Sequence, residues 1–303
     1  MSISESKSNK NNWVSAVIID DDDETPSENV VMPTLINNEN NENNENNETI
    51  VKVEKKQRKP RVKTTEEKSV KKEKVVDTTC LLKKFYHLDT NIIEIGADEA
   101  GRGPMFGRVY SGAVVLPKDD SFDHYKMKDS KKFTSKNNKK IQEVAEYIKA
   151  NAIAWAVEYE DERVIDEINI LQATQSAMHK AIRSVLRQIK DLDTNNLFLL
   201  IDGNYFKQLT VFNKSNNRIE NAKFETIEGG DNKFTSIAAA SILAKVERDK
   251  YIEELCKENP ELVEKYGIDS NKGYGSKTHM DGIRKYGITK WHRRTFGLCK
   301  EFV

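Results

Sequence analysis

Leu197 to Ile201 reads LFLLI, five apolar residues in a row, closed at once by Asp202-Gly203. A strand with one wet face alternates apolar and polar side chains, so this unbroken run predicts a strand covered on both faces. Such a strand belongs inside a sheet with helices on each side. Asn91–Ala97 (NIIEIGA), Arg108–Leu116 (RVYSGAVVL), Ile153–Tyr159 (IAWAVEY) and Ala222–Ile227 read as four more strands. Helical spacing covers Ser135–Ala150, two stretches within Asp161–Ile189, and Thr235–Lys257, the last with Thr235 or Ser236 as its cap. Strands first, then helices alternating with strands, imply an α/β layer architecture: a central mixed five-stranded sheet flanked by helices.

Folded texture begins near Leu81. Before it lie an acidic patch (Asp20–Glu24), an Asn/Glu repeat (NNENNENNENNET, Asn37–Thr49) and a Lys-rich segment, all too poor in apolar side chains to offset the entropy of ordering the chain. Residues 1–80 are therefore expected to be a disordered polar tail and 81–303 the folded domain. Within the tail, KKQRKPRVK (Lys55–Lys63) reads as a nuclear address, a nonspecific nucleic-acid tether or a solvated linker, and the apolar island Trp13–Ile19 is left open between a partner and the core.

Lys+Arg and Asp+Glu balance at 49 each, so net charge announces no polyanionic partner. Three cysteines (Cys80, Cys256, Cys299) stand far apart with no C-x-x-C spacing, which argues against a disulfide framework or a structural zinc and for a reducing intracellular compartment, the cytoplasm first. No apolar run reaches the length of a membrane span, and no secretory leader is expected.

The chemistry-bearing residues are acids at strand ends. Asp98 and Glu99 are adjacent, and neighbours in a strand point to opposite faces, so they serve one site only if the strand ends there with Glu99 in the turn. Asp202 closes LFLLI at a strand's carboxyl end, where α/β sheets place ligands. Ser241, Lys245 and Asp249 fall on one helix face at i, i+4, i+8; either they form a polar stripe toward the site or Asp249 pairs with Lys245 on a wet surface. Four carboxylates in one place repel one another unless cations neutralise them, and oxygen-only donors suit Mg²⁺ or Mn²⁺ in a phosphodiester displacement. The five histidines are scattered, with no spacing for zinc or iron. After the acids, Gly101-Arg102-Gly103 removes side chains where backbone must approach a sugar or phosphate closely, although such a turn is also common as a plain tight turn.

DEAGRGP, ILQATQSAM, IDGN, SIAAASILAKVERD, GYGSKTH and HRRTF, in this order from Asp98 to Phe296, resemble the ribonuclease HII family, and the resemblance spans roughly Ile92 to Phe296. It implies an RNase H-like fold with a small helical C-terminal extension and a metal-dependent endonuclease. The implied substrates are RNA–DNA hybrids, cut in the RNA strand, and DNA incised 5′ to a single embedded ribonucleotide, with 3′-hydroxyl and 5′-phosphate ends. By the same resemblance Asp98, Glu99, Asp202 and Asp249 hold the metal ions. Gly101, Arg102 and Gly103 read the ribonucleotide's 2′-hydroxyl, and Tyr274 stacks on the sugar at the DNA side of the junction. Lys131 lies near the phosphates, or else belongs to a solvated DSKK turn. His292, Arg293 and Arg294 either contact phosphates or lock the C-terminal segment to the core. The chain is expected to act as a monomer, and the tail, which has no counterpart in the family, is expected through its basic stretch to add nonspecific nucleic-acid contact.

Two features depart from the family's pattern: Met105, Phe106 and Arg108 are bulky where small residues are expected, and Ser276 stands where Thr is frequent. Type 3 ribonuclease H shares fold and acids, but Arg102, where that type usually carries Lys, and the lack of a folded N-terminal domain argue against it. An inactive hybrid-binding protein is the reading from a different class, and the presence of all four acids gives it no support.

Overall fold

The computed structural model describes residues 82–127, 138–190 and 192–303. The expectations for the tail, including Trp13–Ile19, Lys55–Lys63 and Cys80, lie outside the described residues, as does Lys131.

The central sheet has the five expected strands: β1 (Ile93–Ala100), β2 (Val109–Val115), β3 (Ala154–Glu160), β4 (Leu197–Asp202) and a fifth, β7 (Lys223–Ile227). Their order across the sheet is β3-β2-β1-β4-β7. β1, β2 and β3 form an antiparallel meander, while β4 lies parallel to both β1 and β7, which makes the sheet mixed. A separate hairpin of β5 (Thr210–Asn213) and β6 (Arg218–Asn221), which the sequence reading passed over, precedes β7. Its strands are four residues each and mostly exposed, so they carry too little apolar alternation to stand out.

Both faces of the sheet are covered. On one, Ile95 and Ala97 pack with Met178, Ile182 and Val185 of α2 (Glu162–Gln188); on the other, Val114 meets α1 (Asn138–Asn151) and the Ala238–Leu243 stretch of α3 (Thr235–Glu258). The two helical stretches expected in Asp161–Ile189 are both present within α2, separated by a kink at Asn169, whose φ of 68° departs from helical geometry. The Asn169 carboxamide oxygen accepts from the Leu171 and Gln172 amides, restarting the helix as a cap would. α3 runs close against β1: a Cβ on Gly96 would collide with Ser236 backbone, so glycine at 96 sets the helix-to-sheet distance.

The cap assigned to α3 is corrected. Phe234, which has no side-chain acceptor, occupies the N-cap, while the Thr235 hydroxyl is engaged elsewhere, donating to the Lys84 carbonyl (3.0 Å) and lying 2.9 Å from His124 Nδ1. Beyond α3 the chain forms the expected C-terminal extension: α4 (Glu261–Tyr266), α5 (Ile268–Asn271), α6 (Lys277–Tyr286) and a final 3₁₀ turn, Gly297–Phe302. The bulky residues after the glycine turn build this lobe. Met105 and Phe106 are buried with Ile252, Leu262 and Ile283, and the Arg108 guanidinium lies between the rings of Tyr159 (4.0 Å) and Tyr251 (4.3 Å). Ser276 keeps a use for its hydroxyl, capping α6 by accepting from the His279 amide. Cys256 and Cys299 are buried free thiols. Among the described residues no helix is long and apolar enough to cross a membrane.

Candidate active site

The parallel register of β1 and β4 brings the first acids together. Ala97 lies opposite Ile201, so the next residues along, Asp98 and Asp202, stand side by side on one face at the carboxyl ends of neighbouring strands. That face is the one α3 covers, and Ser241 of α3 bonds the Asp98 carboxyl. Asp98 also accepts from the Glu99 amide (2.7 Å), and Asp202 accepts from the Gly230 amide (2.6 Å).

The expectation that β1 ends at Asp98 is corrected. The strand continues through Ala100, with Glu99 paired opposite Ser111. Asp98 and Glu99 nonetheless line one cleft of about 460 Å³, together with Asp202 and Asp249. The cleft crosses the end of the sheet, and an edge is reached from both faces. Adjacent side chains that a sheet's face would separate therefore meet there.

Asp98 is buried, and its carboxyl is held well above the usual range, first by loss of water and then by the charges of Glu99 and Asp202. This is the crowding expected where several acids share one cleft. Asp249 lines the same cleft from α3 but pairs with Lys245 at 2.7 Å, so both alternatives read from the helix spacing hold at once. Among the described residues, no three His, Cys, Asp or Glu side chains converge into a finished cage for a metal ion. The donor set still fits a hard divalent cation: it is all oxygen, and a positive charge would relieve the repulsion that raises Asp98.

The glycine turn forms the cleft's second wall. Gly101 has φ +96°, a conformation that side chains disfavour, and a Cβ there would strike the Arg248 side chain. The Arg102 guanidinium turns back to Glu99 (3.1 Å), leaving the backbone of residues 101–103 to face the cleft. Tyr274 is half-exposed beside the turn, its ring edge 3.5 Å from where a Cβ on Gly103 would stand, with Arg248 5.9 Å from its ring centre. Arg248 is itself buried and donates to the Lys272 carbonyl (2.8 Å), tying α3 to the segment that carries Tyr274. Sequence reasoning missed Arg248 and Lys272, since an arginine beside Asp249 in a helix gives no sign of being buried.

The alternatives for HRRTF are decided residue by residue. Arg294 is exposed, whereas His292 and Arg293 are buried in the C-terminal lobe. Arg293 donates to carbonyls of the glycine turn and its continuation. His292 and His279 face each other at 3.1 Å between Nε2 atoms. His279 Nδ1 lies 2.9 Å from the Tyr274 carbonyl and must donate to it, so His279 Nε2 accepts from His292. His292 Nδ1 then accepts from the Thr289 amide (2.9 Å). Both rings are neutral in this chain, and burial pulls His292 down to about 3 and His279 below its ordinary range. A second cleft of about 470 Å³, between α2 and the β5–β6 hairpin, is lined by Arg183, Arg187 and Lys214 and contains none of the carboxylates.

A sequence model described as ribonuclease HII matches residues 95–299. The ribonuclease HII of Phocaeicola vulgatus is 42% identical over 212 residues, 70% of this chain and 92% of that protein. The ribonuclease HII of Pelagibacter ubique is likewise 42% identical, over 69% of this chain and 97% of its own. Among solved structures, the ribonuclease H2 of Pyrococcus horikoshii superimposes with a TM-score of 0.52 at 23% identity, covering 70% of this chain and 97% of that one, a likeness of fold.

Proposed function

The chain belongs to the ribonuclease HII family and is a ribonuclease H, a hydrolase acting on RNA–DNA hybrids, and from that premise we propose that it also incises duplex DNA 5′ to a single embedded ribonucleotide, leaving 3′-hydroxyl and 5′-phosphate ends. One observation carries the reading: the acids at the ends of β1 and β4, the glycine turn and Tyr274 line the same open cleft. Chemistry on a phosphate and recognition of the sugar beside it are thereby possible at once.

In this reading Asp98, Glu99, Asp202 and Asp249 hold divalent cations, Mg²⁺ or Mn²⁺, two in the reaction. When bound, such ions lower the pKa of a water and stabilise the leaving oxygen. The protein's own contribution is placement. Ser241 and the Glu99 amide fix the Asp98 carboxylate, the Gly230 amide fixes Asp202, and Lys245 steadies Asp249. The turn Gly101-Arg102-Gly103 contacts the 2′-hydroxyl through its backbone, since that group is what separates RNA from DNA at one position. Tyr274 offers its exposed ring to the neighbouring deoxyribose. The folded part, residues 81–303, works as a monomer on this account, with the tail adding nonspecific contact to nucleic acid. Lys131 keeps a phosphate-side role on the resemblance alone.

The test is cleavage of a labelled DNA duplex with one ribonucleotide, beside a full RNA–DNA hybrid, with Mg²⁺, Mn²⁺ or chelator and the product ends mapped. Incision 5′ to the lone ribonucleotide, abolished by chelator, is expected. Cutting of the long hybrid alone would replace this reading with that of a type 3 enzyme.

A further inference from the structure

Arg293 is 0% exposed, the largest fully buried side chain among the described residues, and its guanidinium meets carbonyls rather than a carboxylate. Nη2 donates to Gly101 O (2.6 Å), Nη1 to Arg102 O (3.0 Å) and Pro104 O (2.8 Å), and Nε to Gly107 O (2.8 Å). Its own amide donates to Met105 O (2.8 Å), so the side chain is anchored beside the turn it grips. Burial and the nearby Arg248 pull the guanidinium down to about 9, still charged at neutral pH.

The geometry of the peptide unit gives this grip a consequence on the far side of the turn. A trans peptide holds its carbonyl and the N–H that follows on opposite sides, and the described residues contain no cis bond. Drawing the carbonyls of Gly101 and Arg102 inward onto Arg293 therefore turns the N–H groups of Arg102 and Gly103 outward, toward the cleft that both residues line. Neither N–H donates to a backbone carbonyl among the described residues. The turn thus presents two preset donors to the cleft, held from behind by one side chain.

We propose that Arg293 is the positioning residue for recognition of the ribonucleotide: by binding the carbonyls of residues 101–107 it aims the Arg102 and Gly103 amides at the 2′-hydroxyl. The proposal rests on the reading of the turn given above. Only arginine suits the task, because its planar fork of five N–H donors reaches several carbonyls at once, whereas a lysine ammonium is a point donor on a flexible stem.

The experiment is equilibrium binding of the full chain, in chelator, to a fluorescent DNA duplex with one ribonucleotide and to the same duplex in all-deoxy form. The readout is the ratio of the two Kd values, which a loss of folded molecules does not move. Wild type is expected to prefer the ribonucleotide, and Arg293→Lys to lose that preference by roughly ten-fold, the scale of a hydrogen bond or two, with all-deoxy binding little changed. A ratio of one in wild type sinks the reading of the turn and the proposal with it. A wild-type preference that Arg293→Lys retains overturns the proposal alone. Should Arg293→Lys not fold, amide hydrogen exchange on wild type decides: Arg102 and Gly103 should exchange fast in the free protein and be protected by the ribonucleotide duplex but not the all-deoxy one. Slow exchange in the free protein overturns the proposal.

Discussion

Asp98 and Arg293 are both ionisable groups taken out of water, and their surroundings answer the charge in opposite ways. Around Asp98 stand Glu99 and Asp202, two more negative groups, so its carboxylate is opposed by its neighbours as well as by burial. Around Arg293 stand four carbonyl oxygens, and beside it His292 and His279 form a directed chain of hydrogen bonds ending on the Tyr274 carbonyl. A buried polar network with its donors matched rigidifies what it touches, while one left with excess charge is poised for a partner. The carboxylate edge is built to receive a cation; the C-terminal lobe is built to hold a shape.

The sharpest way to break this comparison is Asp98→Asn. Cleavage of hybrid should fall by roughly 10³-fold or more, the scale of losing a central electrostatic group. Tm should hold or rise, because a repelled buried charge has gone. A Tm that drops with the activity would place Asp98 with the structural groups instead. Arg293→Leu should do the reverse in stability: it leaves several buried carbonyls without a donor and costs about 3–5 kcal/mol in a urea titration. Unchanged stability would mean that the carbonyls find other donors and that the lobe is not held by this residue.

Tyr274 belongs to the cleft side of the comparison although its carbonyl is held from the lobe side. Tyr274→Ala should weaken duplex binding by about 1–3 kcal/mol, as measured by anisotropy, on the scale of aromatic stacking in nucleic-acid sites, while Tyr274→Phe changes little. Equal losses in both variants would assign the effect to the hydroxyl.

Per pH unit the smallest effect is a pH dependence of stability. His292 and His279 titrate below their ordinary range in the folded state, so as pH falls through about 6.5 the unfolded chain takes up protons that the folded chain refuses. Stability is fully present above that pH and declines below it, by at most about 1.4 kcal/mol per pH unit for each histidine, down to about pH 3 for His292. His292→Asn should make the decline shallower; an identical slope would show that the pair is not held neutral.

Much of the cleft was legible because it lies at the ends of periodic elements. An acid closing an apolar strand, as Asp202 closes LFLLI, reads directly as a strand-end residue. Asp249 was readable as a member of a helix face, but whether it paired with Lys245 or faced the cleft was not, and it does both. Glu99 was misplaced into the turn because alternation along a strand says nothing of what happens at its edge. The α3 cap was misassigned because Thr235 has partners in distant segments, Lys84 and His124. The β5–β6 hairpin was missed because short exposed strands carry no period.

The sequence by itself determined the elements and the identity of the acids, because hydrophobic period and strand-end position are properties of neighbours in the chain. Only the tertiary structure decided that Ala97 pairs with Ile201, so that Asp98 and Asp202 adjoin, and that Arg293 reaches back across nearly two hundred residues to the glycine turn. Register and burial depend on which distant segments pack together, and a buried arginine is spelled like an exposed one: His292-Arg293-Arg294 puts two residues in the core and the third in water.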